Sequence, residues 1–294
     1  KDWNNITVAF PLNILEIDTI NKLASKVTLN VLVESVFTAE FLMTHLKHSV
    51  NFLIKLNIGN GRTGLLPSNT GTIDAILKVT KTSDVLQFMG FLCHAGQTDK
   101  CRNKAEIIKI HDKAKSEILA IKNLYENQYP ELIASYGDTP SCSVADDFGG
   151  LDELRPGNFV FYDVMQVQIG DCSYNNIAVA MACPIVSIHK DRSEMIIYGG
   201  GIHFSKDRIV DNEKLVFGQV AQNNGATWND VIPNMYLKAL SQEHGVVSVP
   251  KALIDKYTIG DIIYVLPVHS CMTADLMKRY ININGRDITM MTNY

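Results

Sequence analysis

The stretch VNFLIKLNIGNGRTG, residues 50–64, decides the fold class of this chain. Its first part, residues 50–58, is a short run dominated by apolar residues, which is typical of a buried strand. Its last part has three glycines, which let the backbone turn tightly and approach a ligand closely. Similar apolar runs alternate with amphipathic helical segments over the first half of the chain. This alternation predicts a parallel sheet with helical crossovers.

Six strands are predicted in this half. They are expected at residues 6–10, 28–33, 50–58, 85–93, 132–135 and 158–162, with helices at 15–26, 36–48, 72–78 and 104–127. A closed (β/α)8 barrel of the TIM type needs eight strands. Six strands therefore leave two alternatives, a barrel without its first two βα units and an open doubly wound sheet. The chain lacks an initiator methionine and enters a strand almost at once, which favours the barrel.

The pattern changes after about residue 165. Long helical segments stop, and short apolar runs separated by turn residues appear at 178–186, 195–198, 245–249 and 262–266. Short strands between turns predict a mostly β second domain. The expected division is thus a partial barrel at residues 1–164 and a β domain at residues 165–294.

Composition excludes several classes of partner. The net charge of the 294 residues is −4, and no basic run is interleaved with aromatic residues, which argues against nucleic acid. The longest apolar runs are far shorter than the roughly 20 residues of a membrane span. Six dispersed cysteines without a CxxC pair indicate reduced thiols in a cytoplasmic protein.

Polar residues follow several of the predicted strands. Arg62 ends the glycine-rich turn, His94 leaves the next strand, and the segments 135–140 and 155–158 combine hydroxyls with glycines. Residues at the carboxyl ends of barrel strands face the active site, so these groups could bind an anionic ligand. Each segment is also compatible with an ordinary turn, and His94 with a buried structural histidine.

A second candidate lies in the β domain, where His269 and Cys271 follow an apolar run. On an extended chain, residues two apart point the same way, so the imidazole and the thiolate would converge, as zinc requires. Two ligands leave the metal open to water or substrate. The same spacing also arises by chance.

Seven short motifs occur in the order found in one enzyme family. They are GNGRTG (59–64), HAGQ (94–97), SYGDTP (135–140), ELRPGNFVFYD (153–163), GGGIHFSKD (199–207), SQEHG (241–245) and PVHSC (267–271). Together they resemble the fold-type III pyridoxal-phosphate enzymes, the group of alanine racemase. The resemblance is greatest to the D-threonine aldolase and D-serine dehydratase branch, and it covers essentially the whole chain.

The resemblance implies how pyridoxal 5'-phosphate would be bound. Arg62 would contact its phenolic oxygen, His94 would stack on the pyridine ring, and Arg155 would lie near the pyridine nitrogen. The residues around the phosphate would be Ser135, Gly137, Thr139, Gly157 and Asn158. The branch varies at the position of Arg155, so the role of this arginine is the least fixed.

The resemblance also implies a substrate pocket and a metal site. Tyr162, Asp163 and Gln166 would line the pocket for a small amino-acid substrate. His269 and Cys271 match the zinc ligands of the dehydratases, whereas the aldolases usually have an aspartate in place of Cys271. A soft thiolate favours zinc among divalent metals. The implied function is a metal-assisted lyase acting on D-β-hydroxy amino acids.

One feature of the family is missing from the sequence. The lysine that forms a Schiff base with the cofactor lies at the end of the first barrel strand, and no matching stretch occurs here, so no catalytic residue is identified. Lys55 is not expected to replace it. We expect a longer natural protein, with on the order of 70 further residues, or two βα units, at its N-terminus. An amino-acid racemase and a non-catalytic cofactor-binding paralogue are the alternatives, and a homodimer is implied by the family.

Overall fold

The computed structural model describes residues 3–225 and 228–290, with only the backbone at residues 229 and 230. The chain divides into two compact units, Lys1–Gly157 and Asn158–Tyr294. The boundary expected from the sequence, after residue 164, lies a few residues further along the chain.

Unit 1 alternates strands and helices, as the sequence predicts. Its strands are β1 (Asn5–Pro11), β2 (Thr28–Val33), β3 (Val50–Leu56), β4 (Leu86–Cys93), β5 (Ile133–Tyr136) and β6 (Glu153–Leu154), and its helices are α1 (Ile17–Ala24), α2 (Val36–His45), α3 (Thr70–Thr80), α4 (Lys104–Tyr125) and α5 (Thr139–Val144). Side-chain caps define where the main helices begin. Ser35, Asn69 and Asn103 each accept a hydrogen bond from a backbone N–H in the first turn of α2, α3 and α4.

Within the described residues, all six strands of unit 1 lie parallel in the order of the sequence, from β1 to β6. A doubly wound sheet reverses its strand order at a switch point, so the sequential order excludes that alternative. The two ends of the sheet, β1 and β6, do not pair with each other in this part of the chain. The sheet is therefore a half-barrel of the TIM type, with six of its strands described.

Alternate residues along each strand are buried on opposite faces of this sheet. Phe52 and Ile54 of β3 belong to the large core that includes helix residues such as Ile76. Leu53, between them, packs with Leu32 on the opposite face. Burial on both faces gives the continuous apolar runs that made these strands recognisable.

The sixth strand was predicted in the wrong place. Residues 158–162 form a single helical turn rather than a strand, because Asn158 O accepts hydrogen bonds from the N–H groups of Phe161 and Tyr162. The strand that pairs with β5 is the two-residue β6, in register with Ser135 and Tyr136. The polar segment of β6 lacks the apolar pattern by which strands are recognised.

Unit 2 is mostly β, as expected. Its strands are β7 (Met181–His189), β8 (Glu194–Tyr198), β9 (Ile209–Asp211), β10 (Lys214–Val216), β11 (Gly218–Asn223), β12 (Trp228–Leu240), β13 (His244–Ser248), β14 (Ile262–Pro267), β15 (Tyr280–Ile281) and β16 (Asp287–Ile288), and its helices are α6 (Val164–Ile169), α7 (Gly201–Phe204), α8 (Lys251–Ile254) and α9 (Ser270–Met277). Six of these strands close into a barrel in the order β11-β12-β13-β8-β7-β14. Its interior packs residues such as Val247 and Val265.

The longest strand of this barrel, β12, was not predicted. It contains Pro233 and Asn234, and Asn234 has a φ of +59°. Its pairing with β11 and with β13 also shifts register. Proline and a residue with a positive φ are normally typical of a turn, so the sequence pattern of this segment did not predict a strand. Among the described residues, no helix combines the length and apolar character needed to cross a membrane.

Candidate active site

The predicted site residues fall on both units, and each unit contains a coherent group of them. In unit 1 they follow strands β3 to β6. In unit 2 they lie around the start of α9.

The glycine-rich loop after β3 returns to the strand and carries Arg62 on its exposed side. Asn57 holds the loop, because its Oδ1 accepts hydrogen bonds from the N–H groups of Gly59 (3.2 Å) and Gly61 (3.0 Å). Gly64 has a φ of +103°, and a Cβ there would lie 2.6 Å from the carbonyl carbon of Leu56. The loop therefore requires glycine at this position.

His94 is half-buried after β4, and its Nδ1 lies 2.7 Å from the carbonyl oxygen of Gly137. Because a carbonyl only accepts, Nδ1 carries the proton and Nε2 has a free lone pair in the neutral ring. Burial lowers the pKa of His94, and the nearby charges of Lys55 and Arg62 lower it further, against the opposing effect of the Gly137 hydrogen bond. His94 is thus a neutral imidazole near pH 7, and its environment includes both cations.

The ends of β5 and β6 approach each other closely. A Cβ on Gly137 would lie 2.6 Å from the backbone of Arg155. Ser135 is fully buried, and its Oγ accepts a hydrogen bond from Nε of Arg155. The same guanidinium pairs with Glu153 and donates to Thr7 Oγ1 at 3.3 Å. Arg155 is thereby fixed by three side chains.

The turn after β5 leads into α5 through Asp138 and Thr139. The buried carboxylate of Asp138 accepts hydrogen bonds from the N–H of Ser141 (2.8 Å) and from Thr98 Oγ1 (3.0 Å). Burial raises the pKa of Asp138. A Cβ on Gly157 would meet no atom within 4 Å, so space remains beside that residue.

Lys55, which is not expected to bind the cofactor covalently, is a buried cationic side chain of unit 1. It lies on β3 and is 5% exposed. Burial lowers the pKa of its amine to about 8, and the charge of Glu34 partly opposes that shift. Glu34 itself has a buried carboxylate oxygen without a hydrogen-bond partner in the described residues. The face of the sheet that holds Lys55 is thus polar near the strand ends.

In unit 2, the thiol of Cys271 lies close enough to the imidazole of His269 to raise the pKa of that histidine. The predicted convergence is present, but the chain is not extended there. His269 is the N-cap of α9, and Cys271 lies in its first turn. Cys271 Sγ also lies 3.3 Å from Asn158 Oδ1.

The imidazole of His269 has a second partner that the sequence did not single out. Asp207 Oδ2 lies 2.6 Å from His269 Nδ1. The hydrogen bonds to Cys271 and then to Asp207 raise the pKa of His269 to about 9, against the effect of burial. Asp207 is the last residue of the motif GGGIHFSKD, and nothing in that motif indicated a contact with residues 62 positions further on.

Asp163 ties the start of α9 to the start of α6. Its Oδ1 accepts from the N–H of Gln166 at 2.9 Å, and its Oδ2 accepts from the N–H of Ser270 at 3.1 Å and from Asn158 Nδ2 at 2.6 Å. Burial raises its pKa. Asp163 is 1% exposed, so its carboxylate fixes the backbone that carries the neighbouring residues.

The other two residues predicted for a substrate pocket flank Asp163. Tyr162 has a φ of +47°, and its carbonyl accepts a hydrogen bond from Ser270 Oγ at 2.6 Å. Gln166 is 6% exposed, and its Oε1 has no hydrogen-bond partner in the described residues. The structure thus brings Tyr162, Asp163 and Gln166 together with the start of α9.

The donor set at the start of α9 fits a metal with an incomplete protein shell. His269 and Cys271 offer one nitrogen and one sulfur, the donors that zinc prefers. A carboxylate bonded to the far nitrogen of a histidine is the usual second partner of a zinc-bound imidazole. No group of three or more histidine, cysteine or acidic side chains arranged for a metal occurs in the described part of the chain. Further ligands would have to be water or substrate.

Comparison with known proteins identifies several relatives of this chain. Residues 178–283 match a family described as "Putative serine dehydratase domain". The chain is 31% identical over 243 residues to D-serine dehydratase of Dictyostelium discoideum, which covers 79% of this chain and 60% of that protein. It is 24% identical over 235 residues to D-threo-3-hydroxyaspartate dehydratase of Delftia sp.. The chain spans about 60% of the length of these curated relatives.

Solved structures show the same fold at lower sequence identity. The Delftia dehydratase superposes with a TM-score of 0.88 and 21% identity, over 97% of this chain and 78% of that chain. An alanine racemase-like protein of Idiomarina loihiensis gives a TM-score of 0.87 and 21% identity, over 99% of this chain and 79% of that one. These comparisons confirm the resemblance of this chain to the fold-type III pyridoxal-phosphate enzymes, on the side of the D-serine dehydratases.

Proposed function

We propose that the protein is a pyridoxal-phosphate-dependent lyase that eliminates water from D-β-hydroxy amino acids with the help of a divalent metal, preferably zinc. The observation that carries the proposal lies in unit 2. The segment that matches the serine dehydratase family, residues 178–283, contains the contacting pair His269 and Cys271 and the carboxylate of Asp207 beside it.

The cofactor-binding residues of the proposal are Arg62, His94, Ser135, Gly137, Thr139, Arg155, Gly157 and Asn158. The neutral, half-buried ring of His94 suits stacking on a planar heterocycle, and its hydrogen bond to Gly137 fixes the orientation of the ring. The cations Arg62 and Arg155 suit an anionic cofactor. Bound pyridoxal phosphate would act as the electron sink for the substrate's α-carbon.

The metal would be held by His269 and Cys271. Variants of D-threo-3-hydroxyaspartate dehydratase have been solved in which a histidine and a cysteine two positions apart are replaced by alanine, and the cysteine variant is described as metal-free. This chain has the same residue types at the same spacing. A metal at this position would polarise the substrate's β-hydroxyl. Tyr162, Asp163 and Gln166 are proposed to line the substrate pocket, with Asp163 fixing the backbone around it.

Loss of the β-hydroxyl gives dehydration, whereas removal of its proton gives retro-aldol cleavage. The names of the matched relatives, both dehydratases, favour the first reaction. Cys271 favours it too, since the aldolases that this chain resembles usually carry an aspartate there. A racemase remains the alternative on the same fold, but a racemase has no need of the His269–Cys271 pair.

The natural protein is proposed to contain two further βα units before this chain, with the lysine that holds the cofactor. Two observations support this: the outer edges of β1 and β6 pair with no strand among the described residues, and the chain covers only part of its relatives. We also propose that the enzyme is cytoplasmic, as its dispersed cysteines indicate, and that it is a homodimer, as the family resemblance implies.

Product analysis tests the reaction. The full-length natural protein, supplied with pyridoxal phosphate and Zn²⁺, would be incubated with D-serine, D-threonine and D-threo-3-hydroxyaspartate, and with L-serine as the control. We expect one molecule of 2-oxo acid and one of ammonia for each molecule of D-amino acid consumed. Glycine and acetaldehyde from D-threonine would identify an aldolase, and L-serine from D-serine a racemase. Consumption of none of the D-amino acids would contradict the proposal.

A further inference from the structure

Asp207 makes a single, well-defined contact with the proposed metal ligand His269. The distance between Asp207 Oδ2 and His269 Nδ1 is 2.6 Å. An ionised carboxylate has no proton to donate, so the hydrogen on this bond belongs to Nδ1. In the neutral imidazole, the lone pair then resides on Nε2, the nitrogen on the other side of the ring.

We propose that Asp207 is a positioning residue for the metal: it holds His269 with Nδ1 protonated and presents Nε2 as the ligand atom. This inference rests on the metal site of the proposed function and adds the residue that selects the ligand nitrogen. Outer carboxylates of this kind fix the tautomer and the orientation of the ring, and they make the ligand nitrogen more basic.

The backbone around Asp207 is built to hold its carboxylate in place. Ser205 has a φ of +67° and a ψ of −168°, a conformation normally left to glycine. Its Oγ accepts a hydrogen bond from the N–H of Asp207 at 3.2 Å. Ser205 is itself buried, so the strained turn is enclosed by the surrounding structure.

The same segment is anchored to the helix that carries the metal ligands. Phe204, at the end of α7, is 2% exposed in the core of the unit 2 barrel. Its carbonyl accepts a hydrogen bond from Thr273 Oγ1, in α9, at 3.4 Å. Since His269 caps α9, the carboxylate and the imidazole are fixed to one helix from two sides.

Stability alone does not account for this arrangement. The side chains of His269 and Asp207 are 35% and 40% exposed, and ion pairs at such exposure contribute little to folding. Asp207 also does not complete a group of three ligands with the pair, among the residues that the structure describes. Asp207 bonds Nδ1 of His269, not the proposed ligand atom Nε2, so it would act on the metal only through His269.

Metal affinity measured by competition with a chromogenic chelator tests the inference on the full-length holoenzyme. Asp207→Ala should weaken Zn²⁺ binding by about 10- to 100-fold, the usual effect of losing such a partner. Asp207→Asn keeps an acceptor oxygen but not the charge, so its affinity for Zn²⁺ should lie between those of the wild type and of Asp207→Ala. The matched control is Asp255→Ala, which removes an exposed carboxylate paired with Lys190 in the same unit and should leave the affinity unchanged.

A Co²⁺-substituted protein provides a readout that a merely structural role would not move. The thiolate-to-cobalt absorption from Cys271 should persist in Asp207→Ala, while the ligand-field bands change with the orientation of His269. If wild type and Asp207→Ala bind Zn²⁺ equally, the inference is overturned and the metal site stands. If wild type and His269→Ala both bind no Zn²⁺, the metal site and the inference fail together. Should Asp207→Ala not fold, wild-type affinity in Asp207→Asn would overturn the inference.

Discussion

Replacing Lys55 by methionine is expected to stabilise unit 1 at neutral pH. Lys55 lies on β3, is 5% exposed, and has a pKa of about 8 instead of 10.5, chiefly because of burial. Below pH 8 the folded protein must therefore carry a buried charge that costs free energy. Methionine keeps an unbranched apolar side chain in the same space without that charge.

The magnitude and its sign follow from the two pKa values. A pKa difference of about 2.5 corresponds to at most about 3.4 kcal/mol at 25 °C. Because the folded-state pKa is the lower one, the unfolded state binds more protons between pH 8 and pH 10.5, and stability rises with pH across that window. The advantage of Lys55→Met should therefore approach 3 kcal/mol at pH 7 and shrink to under about 1 kcal/mol at pH 10.

Urea unfolding followed by hydrogen exchange of peptides from β3 and β4 would report the stability of unit 1 by itself. Lys113→Met is the matched control, since Lys113 is on α4 of the same unit and its side chain is 72% exposed. That control should show no difference that depends on pH. A Lys55→Met variant that is destabilised at pH 7, or stabilised equally at both pH values, would refute the account of Lys55 as a buried charge.

Two further results are expected. Gly90→Ala should lower the free energy of unfolding of unit 1 by about 2 kcal/mol or more, as measured by urea denaturation. The reason is that Gly90 has a φ of +140° and that a Cβ there would lie 2.1 Å from the carbonyl oxygen of Ile133. Gly71→Ala is the control, because a Cβ at that position would meet no atom within 4 Å. The metal-free protein should lose a small part of its stability between pH 6.5 and about 9, because the hydrogen bonds that raise the pKa of the partly exposed His269 are stronger to the charged ring than to the neutral ring. His269→Ala should lack this component in pH-dependent thermal melts, and an unchanged pH profile would count against the raised pKa.

The sequence predicted the half-barrel because its strands are buried on both faces. Thr28–Val33 was predicted with its observed bounds, since the apolar run coincides with the paired residues. The sixth strand was misplaced because a strand of two residues, Glu153–Leu154, carries no apolar pattern, whereas the nearby apolar run forms a turn. Pairing with β5, a tertiary interaction, defines that strand.

The candidate site was predictable where its residues follow one another in the chain. His269 and Cys271 are two positions apart, and their side chains do meet. Asp207 was not predictable, because its contact with His269 joins residues 62 positions apart and depends on a strained turn at Ser205. The lowered pKa of Lys55 was not predictable either, because this lysine is buried only when β3 pairs with β2 and β4 inside the sheet.

The central claim, that this is a pyridoxal-phosphate enzyme, is tested most directly by trapping the cofactor. The full-length natural protein would be incubated with pyridoxal phosphate, reduced with borohydride, and analysed by intact-mass and peptide mass spectrometry. We predict one phosphopyridoxyl group per chain, on a lysine that precedes the 294 residues of this sequence. A protein that carries no adduct after reduction would contradict the claim and favour a non-catalytic relative.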